Sequence, residues 1–207
     1  MQKLINPINK ACLTASIDTK AYTARFGFRH YGTDMVSTER DKDGKVVDSV
    51  WGLGNGTVLA TGYDTACGWV LAILYPEAYN HRTSKVESIV VRHFHLKTIY
   101  VRVNQKVTKD TKIGKYGHTG KYAGTGPHLH LEADTDTAHP LYTPTVKASD
   151  FLRGTLQKAF PYDSPQNTVR NIMDYLHYKT SAKDYQSYTT ANNEYIRPED
   201  KNIPFIV

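Results

Sequence analysis

Short apolar runs separated by turn residues dominate the first three-quarters of the chain. Alternating or continuous apolar runs of this length predict β-strands. They cover residues 56–60, 68–75, 88–96, 99–103 and 129–133. Glycine, proline and Asp-Gly pairs lie between the runs and favour turns. The pattern therefore predicts a mainly β domain over residues 1–154.

The last quarter of the chain has a helical period instead. Four apolar residues recur at the i, i+3, i+4 and i+7 positions of one helix face: Val169, Ile172, Met173 and Leu176. Ser164 and Pro165 precede them, and this pair favours a helix start. We predict a helix over 165–178 within a C-terminal extension, 155–207, that packs on the first domain. The extension either covers apolar surface or lengthens a groove with its tyrosines.

Composition and charge narrow the class of protein only a little. The chain has 207 residues and a formal net charge of +6, but its basic residues are scattered, so we expect no nucleic-acid partner. No stretch is long and apolar enough to predict a membrane span, and no secretion signal is evident. Cys12 and Cys67 make no disulfide framework; they either pair across the fold or, as we expect, both remain thiols.

The histidines carry the candidate chemistry. Three clusters stand out among nine histidines: His30 with Asp34, His93 with His95, and His128 with His130. Residues i and i+2 of a strand point to the same face, so His128 and His130 can reach one point. Imidazole and carboxylate suit Zn²⁺, and three protein ligands leave a position for an activated water. The alternative is that these are surface or core histidines held by hydrogen bonds.

The order of the motifs resembles that of the lysostaphin and LytM type of zinc peptidase. The resemblance spans about residues 7–152, and its most specific segment is 125–132, with the sequence TGPHLHLE. Further matching motifs cover residues 25–34, 56–64, 94–96 and 117–120. The resemblance implies an antiparallel β-sheet core with a loop-walled groove. It also implies an endopeptidase that cuts the peptide part of bacterial peptidoglycan.

Carried over to this sequence, the family pattern assigns five residues. It makes His30, Asp34 and His130 the ligands of one Zn²⁺ per chain. His95 and His128 would flank the activated water, take its proton and stabilise the oxyanion. All five positions are present, which argues against the inactive members of the group.

Two further residues are candidates for the surroundings of the metal. His93 stands where the family often has a tyrosine, and on a strand it would share a face with His95. His93 would then either line the groove or replace His95 in its role. Glu132 follows His130 by two residues, so on a strand both side chains point to the same face. Glu132 would then hydrogen-bond the ring of that ligand.

A tyrosine that assists the oxyanion precedes the first ligand in some relatives. The matching position here looks like Ala24, which leaves Tyr22 and Tyr31 as candidates. The stretch 37–52 looks longer than usual. It is either a loop at the groove rim that shapes substrate choice or a solvated hairpin.

The favoured hypothesis is a peptidoglycan endopeptidase that acts as a monomer at the bacterial cell wall. The setting would be extracellular, periplasmic or phage-delivered, as in phage lysis, and the bond cut stays open between stem and cross-bridge. The alternative is a non-catalytic cell-wall-binding, phage structural or regulatory module that keeps the metal site. A third hypothesis is a zinc peptidase that acts on ordinary proteins.

Overall fold

The computed structural model of the protein describes residues 1–27, 29–124, 126–140 and 168–177. These residues form β1 Leu4–Ile5, β2 Ala11–Ala15, α1 Lys20–Phe26, β3 Thr33–Ser37, β4 Ser49–Trp51, β5 Gly56–Asp64, β6 Gly68–Asn80 and β7 Lys85–Ile99. They continue with β8 Lys106–Val107, β9 Lys112–Tyr116, β10 Leu129–Asp134, β11 Val169–Arg170, a 3-10 helix Ile172–Asp174 and β12 Leu176–His177. Within the described ranges, no helix is long and apolar enough to cross a membrane.

One antiparallel sheet organises the described residues. Its strands follow the order β2, β3, β10, β7, β6, β5, β8, with β11 beside β10 and with β9 joining β7 to β4. The long strands β6 and β7 form a hairpin at its centre. β1 and β12 pair in parallel as a separate two-stranded sheet. The predicted mainly antiparallel β fold is confirmed.

The two faces of the central strands have different characters. Along β7 and β10, the odd-numbered residues Ile89, Val91, Leu129, Leu131 and Ala133 belong to the main hydrophobic core. Because side chains alternate along a strand, the even-numbered residues face the other way. They include Arg92, Phe94, His130, Glu132 and Asp134, and also Val90, which belongs to a second, smaller apolar cluster. The polar chemistry therefore lies on the sheet face opposite the main core.

The strands are longer than the apolar runs indicated, with one exception. β6 continues past Pro76 because a register shift between Tyr75 and Ala78 makes room for the proline. The predicted strand over 99–103 is wrong, since β7 ends at Ile99. The chain turns instead at Asn104, whose φ is +67°.

The predicted helix over 165–178 is wrong for the part that the structure describes. The Asn171 side chain accepts a hydrogen bond from the Met173 N–H and starts a single 3-10 turn between β11 and β12. Leu176 then pairs with Leu4 of β1. Ile172, Met173 and Leu176 are buried in the main core and Val169 is half-buried, so tertiary packing overrides the helical period. Residues 165–167 and 178, and the expected domain boundary at 154, lie outside the described residues.

The helix α1 was not predicted from the sequence. It has only seven residues and no side-chain cap at its start. It ends at Gly27, which has a φ of +77° and donates its N–H to the Thr23 carbonyl. A left-handed residue at this position favours glycine. The spacing of Tyr22 and Phe26 together with Gly27 was the available signal.

We expect Ile172→Ala to lower the free energy of unfolding by about 2–5 kcal/mol, because it empties a buried site in the core. The side chain is 1% exposed. Urea denaturation of the purified protein measures the change. The control is Val103→Ala, because Val103 is 44% exposed. We expect this change to alter the free energy of unfolding by no more than about 0.5 kcal/mol. Equal effects would mean that residues 168–177 do not belong to the cooperative core.

Candidate metal centre and catalytic site

A single row of residues across three strands forms the floor of the site. Asp34 on β3 lies opposite His130 on β10, and His130 lies opposite Phe94 on β7. Such cross-strand neighbours point to the same face and contact each other. The rings of Phe94 and His130 stack nearly parallel, with centroids 5.1 Å apart. Phe94 thus holds one side of the His130 ring.

Three side chains converge at this floor. One ligand atom each of His30, Asp34 and His130 lies within 4.8 Å of the others. Asp34 Oδ1 is 2.7 Å from His130 Nδ1 and 3.3 Å from His30 Nε2. The two ring nitrogens are 3.2 Å apart. The structure therefore brings together the three residues that the sequence predicted as ligands.

His30 is held with its Nε2 turned toward this cluster. Its Nδ1 lies 2.6 Å from the Ser16 carbonyl oxygen, so Nδ1 donates and Nε2 keeps a lone pair. The ring of Tyr22, from α1, stacks on the His30 ring with centroids 4.2 Å apart. At Gly32, an added Cβ would lie 2.5 Å from His130 Nε2, so this close approach requires glycine.

His130 is held by a charged side chain. Its Nε2 lies 3.3 Å from Glu132 Oε1, while Arg92 Nη1 lies 3.7 Å from Glu132 Oε2. Arg92 Nη2 also donates to Asp134 Oδ2 at 3.0 Å, and Arg92 Nε donates to the Pro140 carbonyl at 2.9 Å. Arg92, Glu132 and Asp134 are fully buried. Buried charges need partners, and Arg92 supplies one for the carboxylates.

His95 and His128 form a second pair of rings above the floor. His95 Nδ1 lies 2.8 Å from the Thr119 carbonyl oxygen, and His128 Nδ1 lies 2.9 Å from the Gly126 carbonyl oxygen. Their ring centroids are 4.8 Å apart. His128 Nε2 is 3.7 Å from Asp34 Oδ1. Because each Nδ1–H donates to a carbonyl, each Nε2 is left as a proton acceptor.

His93 is not brought to the site. Its buried ring points to the core side, where Nδ1 lies 3.1 Å from the Leu71 carbonyl oxygen. The expected shared face of His93 and His95 is wrong, because His95 has a φ of +61° and interrupts the alternation of β7. His95 lines the cavity and His93 does not. Of the two candidate tyrosines, Tyr22 lines the cavity and Tyr31 does not.

The cluster opens into a cavity of about 450 Å³. Asp34 and His130 lie at its floor, with the rings of His95 and His128 also lining it. The rest of the wall includes Tyr22, Phe26, Tyr122 and Pro127, together with the polar residue Arg25 and two threonines. A concave site that combines apolar and aromatic walls with convergent polar groups is typical of ligand binding.

The local electrostatics follow from burial and from these contacts. Burial raises the pKa of Asp34, but the charges of His30, His128 and His130 hold this pKa well below its usual range. Burial lowers the pKa of His130, but Asp34 and Glu132 raise it to about 9. Burial, with the charges of His128 and His130, lowers the pKa of His95 to about 3. His95 is therefore neutral at pH values near 7.

Sequence reasoning missed two residues that surround the ligands. Arg92 and Phe94 were not expected to take part, although both lie on the predicted strand over 88–96. The available signal was a charged residue between apolar neighbours, because an arginine in such a strand needs a buried partner. Glu132 on the other predicted strand was the candidate partner.

Comparison with known proteins finds similarity to peptidases and metalloproteases. Residues 29–141 match Peptidase family M23. A stretch of 103 residues is 31% identical to the peptidoglycan DD-endopeptidase ShyA of Vibrio cholerae and covers 50% of this chain and 20% of that protein. A stretch of 80 residues is 32% identical to an uncharacterized metalloprotease of Buchnera aphidicola and covers 39% of this chain and 18% of that protein.

The fold is also similar to that of solved structures. The antimicrobial peptidase lysostaphin from Staphylococcus simulans superposes with a TM-score of 0.52 at 14% identity, over 84% of this chain and 54% of that chain. At this identity the likeness concerns the fold alone. The family match is the more specific finding, since it covers more than half of the chain and includes the cluster from His30 to His130. The protein belongs to Peptidase family M23.

Proposed function

We propose that this protein is a zinc metalloendopeptidase that hydrolyses peptide bonds in bacterial peptidoglycan. The observation that carries the proposal is the convergence of His30, Asp34 and His130 beside an open cavity that Asp34 and His130 line. The similarity to ShyA, a peptidoglycan DD-endopeptidase, supports the choice of substrate. The protein would act at the bacterial cell wall.

The donor set fits a single Zn²⁺. Two imidazole nitrogens and one carboxylate oxygen are common zinc ligands, and three protein ligands are typical of catalytic rather than structural sites. His30 Nε2, Asp34 Oδ1 and His130 Nδ1 would hold the ion. The other nitrogen of each ring already faces an acceptor, Ser16 for His30 and Glu132 for His130. Bound Zn²⁺ supplies Lewis acidity, which polarises a peptide carbonyl and makes water more acidic.

His95 and His128 would carry the proton transfers. Their Nδ1–H groups are fixed by the Thr119 and Gly126 carbonyls, so Nε2 of either ring can accept a proton from the attacking water. A ring that has gained this proton becomes a donor. It can then stabilise the oxyanion or protonate the leaving amine. The low pKa of His95 leaves its ring unprotonated near pH 7, so its Nε2 is available to accept a proton.

We expect His95→Ala and His128→Ala each to lower peptidoglycan hydrolysis by about 10²–10⁴-fold while zinc is retained, because they remove acid–base groups but no ligand. Mass spectrometry of released muropeptides measures the rate, and elemental analysis measures zinc. The matched control is His81→Ala, in the turn that joins β6 to β7, which we expect to stay near the parent rate.

Two outcomes would contradict this assignment. If both variants digested peptidoglycan as fast as the parent, the two histidines would have no part in proton transfer. If the zinc-loaded parent released no peptide from chemically different cell walls, the protein would be either a zinc peptidase of ordinary proteins or a non-catalytic wall-binding or structural module.

We expect Glu132→Gln to weaken zinc binding by about 10–100-fold, because the neutral amide holds the His130 ring less firmly than the carboxylate does. Competition with a fluorescent zinc chelator measures the affinity, and circular dichroism checks the fold. Glu87→Gln is the control, since Glu87 accepts a hydrogen bond from the Tyr175 hydroxyl outside the site. Unchanged zinc affinity in Glu132→Gln would rule out the positioning role of Glu132.

We expect zinc affinity to rise with pH and to level off above about pH 9. The pKa of His130 in the metal-free protein is about 9, so at lower pH a proton must leave Nδ1 before the ring can bind metal. Below this pKa, the dissociation constant should therefore fall by up to roughly tenfold for each unit by which the pH is raised. Calorimetric titration in buffers of different ionisation enthalpy measures the proton released. Zinc affinity independent of pH between about 6 and 8 would contradict this expectation.

A further inference from the structure

A second cavity adjoins the proposed catalytic cavity. It measures about 890 Å³ and shares Val36 and Pro127 with its neighbour. The two cavities together make a groove that continues beyond the metal cluster. None of the residues proposed as ligands or acid–base groups lines the second cavity, so the chemistry above assigns it no role.

A closed hairpin forms one wall of the second cavity. Asp41 Oδ1 accepts hydrogen bonds from the backbone N–H groups of Asp43 and Lys45, both at 2.9 Å. Val47 donates its N–H to the Glu39 carbonyl at 3.0 Å. The hairpin within 37–52 is therefore fixed by its own hydrogen bonds and faces the groove. A fixed wall can hold charged side chains in defined positions.

Cationic side chains outnumber anionic ones around this cavity. The cations are Arg40, Lys45, Lys97 and Lys115, and the carboxylates are Asp41 and Asp48. Asp48 contacts both Lys97 and Lys115, with Lys115 Nζ 3.4 Å from its Oδ1. Each ammonium carries three N–H donors, so one carboxylate cannot satisfy both lysines.

The lowered pKa of Asp48 indicates a positive electrostatic potential around its carboxylate. Burial raises its pKa, but the hydrogen bond and charge of Lys97, and then those of Lys115, bring it below its ordinary value. The side chains of Lys97 and Lys115 remain 48% and 35% exposed, so their remaining donors can reach a ligand. A second carboxylate is the ligand chemistry that matches two such ammonium groups.

We propose that the second cavity is a subsite for a carboxylate of the substrate peptide, with Lys97 and Lys115 as its binding residues. The inference rests on the proposed endopeptidase function. Lys97 follows His95 by two residues on β7, and the two side chains line the two adjoining cavities. A carboxylate bound at Lys97 would therefore belong to the part of the substrate that extends from the catalytic cavity into the second one. Discrimination between acidic and neutral peptides is the expected consequence.

The test compares two forms of one substrate. A cross-linked muropeptide with free carboxylates is compared with the same muropeptide after carbodiimide-coupled amidation. We expect the parent to prefer the acidic form by roughly tenfold in kcat/KM and to bind it more tightly. Lys97→Met with Lys115→Met should abolish this preference. Lys106→Met with Lys109→Met, which removes the same number of positive charges at exposed positions outside the cavity, should retain it.

Asp48→Asn separates binding from a structural role. It removes the carboxylate that competes for the two lysines, so the preference for the acidic form should increase. If Asp48 and the lysines only hold the hairpin in place, the preference should fall instead.

Binding of both muropeptide forms is measured by calorimetry beside the rates, so the subsite is judged even where no bond is cut. Equal affinity and equal rates for the two forms in the parent would overturn the subsite and leave the proposed function intact. Tighter binding of the acidic form without hydrolysis of either would support the subsite and overturn the endopeptidase proposal.

Discussion

The register between β3 and β10 is the constraint on which the site depends. It sets Asp34 opposite His130, while the next residue of β3, Met35, lies opposite Leu129 in the main core. A slip of one residue would exchange the two faces and turn Met35 toward the site. Met35 is 1% exposed, and its burial resists such a slip. The apolar face of the strands therefore keeps the polar face aligned.

Buried charges behind the cluster orient one of the four histidine rings of the site. The rings of His30, His95 and His128 are oriented by backbone carbonyls, which are neutral. The ring of His130 is oriented by Glu132, which is charged and needs Arg92 beside it. A carboxylate makes the ring a more basic ligand than a carbonyl does. His130 is thus distinguished from the other three by the charge of its partner.

The sequence predicted the central strands from simple alternation, whereas the set of three candidate ligands came from the resemblance of its motifs to those of a known family. His128 and His130 have equal parity, and the motif order suggested which distant residues join them. The backbone of His95 was not predictable in this way, since one left-handed residue leaves no periodic trace. The helix over 165–178 failed for a related reason. Its apolar spacing suits a helix in isolation, but in the folded protein Leu176 pairs with Leu4 on the distant strand β1.

The pairing of β12 with β1 links the two ends of the described chain. β1 pairs with β12 through Leu4 and Leu176. The end of β10 pairs with β11, where Ala133 lies opposite Arg170. A fragment cut at residue 154 would leave β1 without this partner and expose Leu4, which is fully buried. Unpaired strand edges beside apolar surface promote aggregation. The smallest unit suited to production as a recombinant fragment therefore extends at least to residue 177.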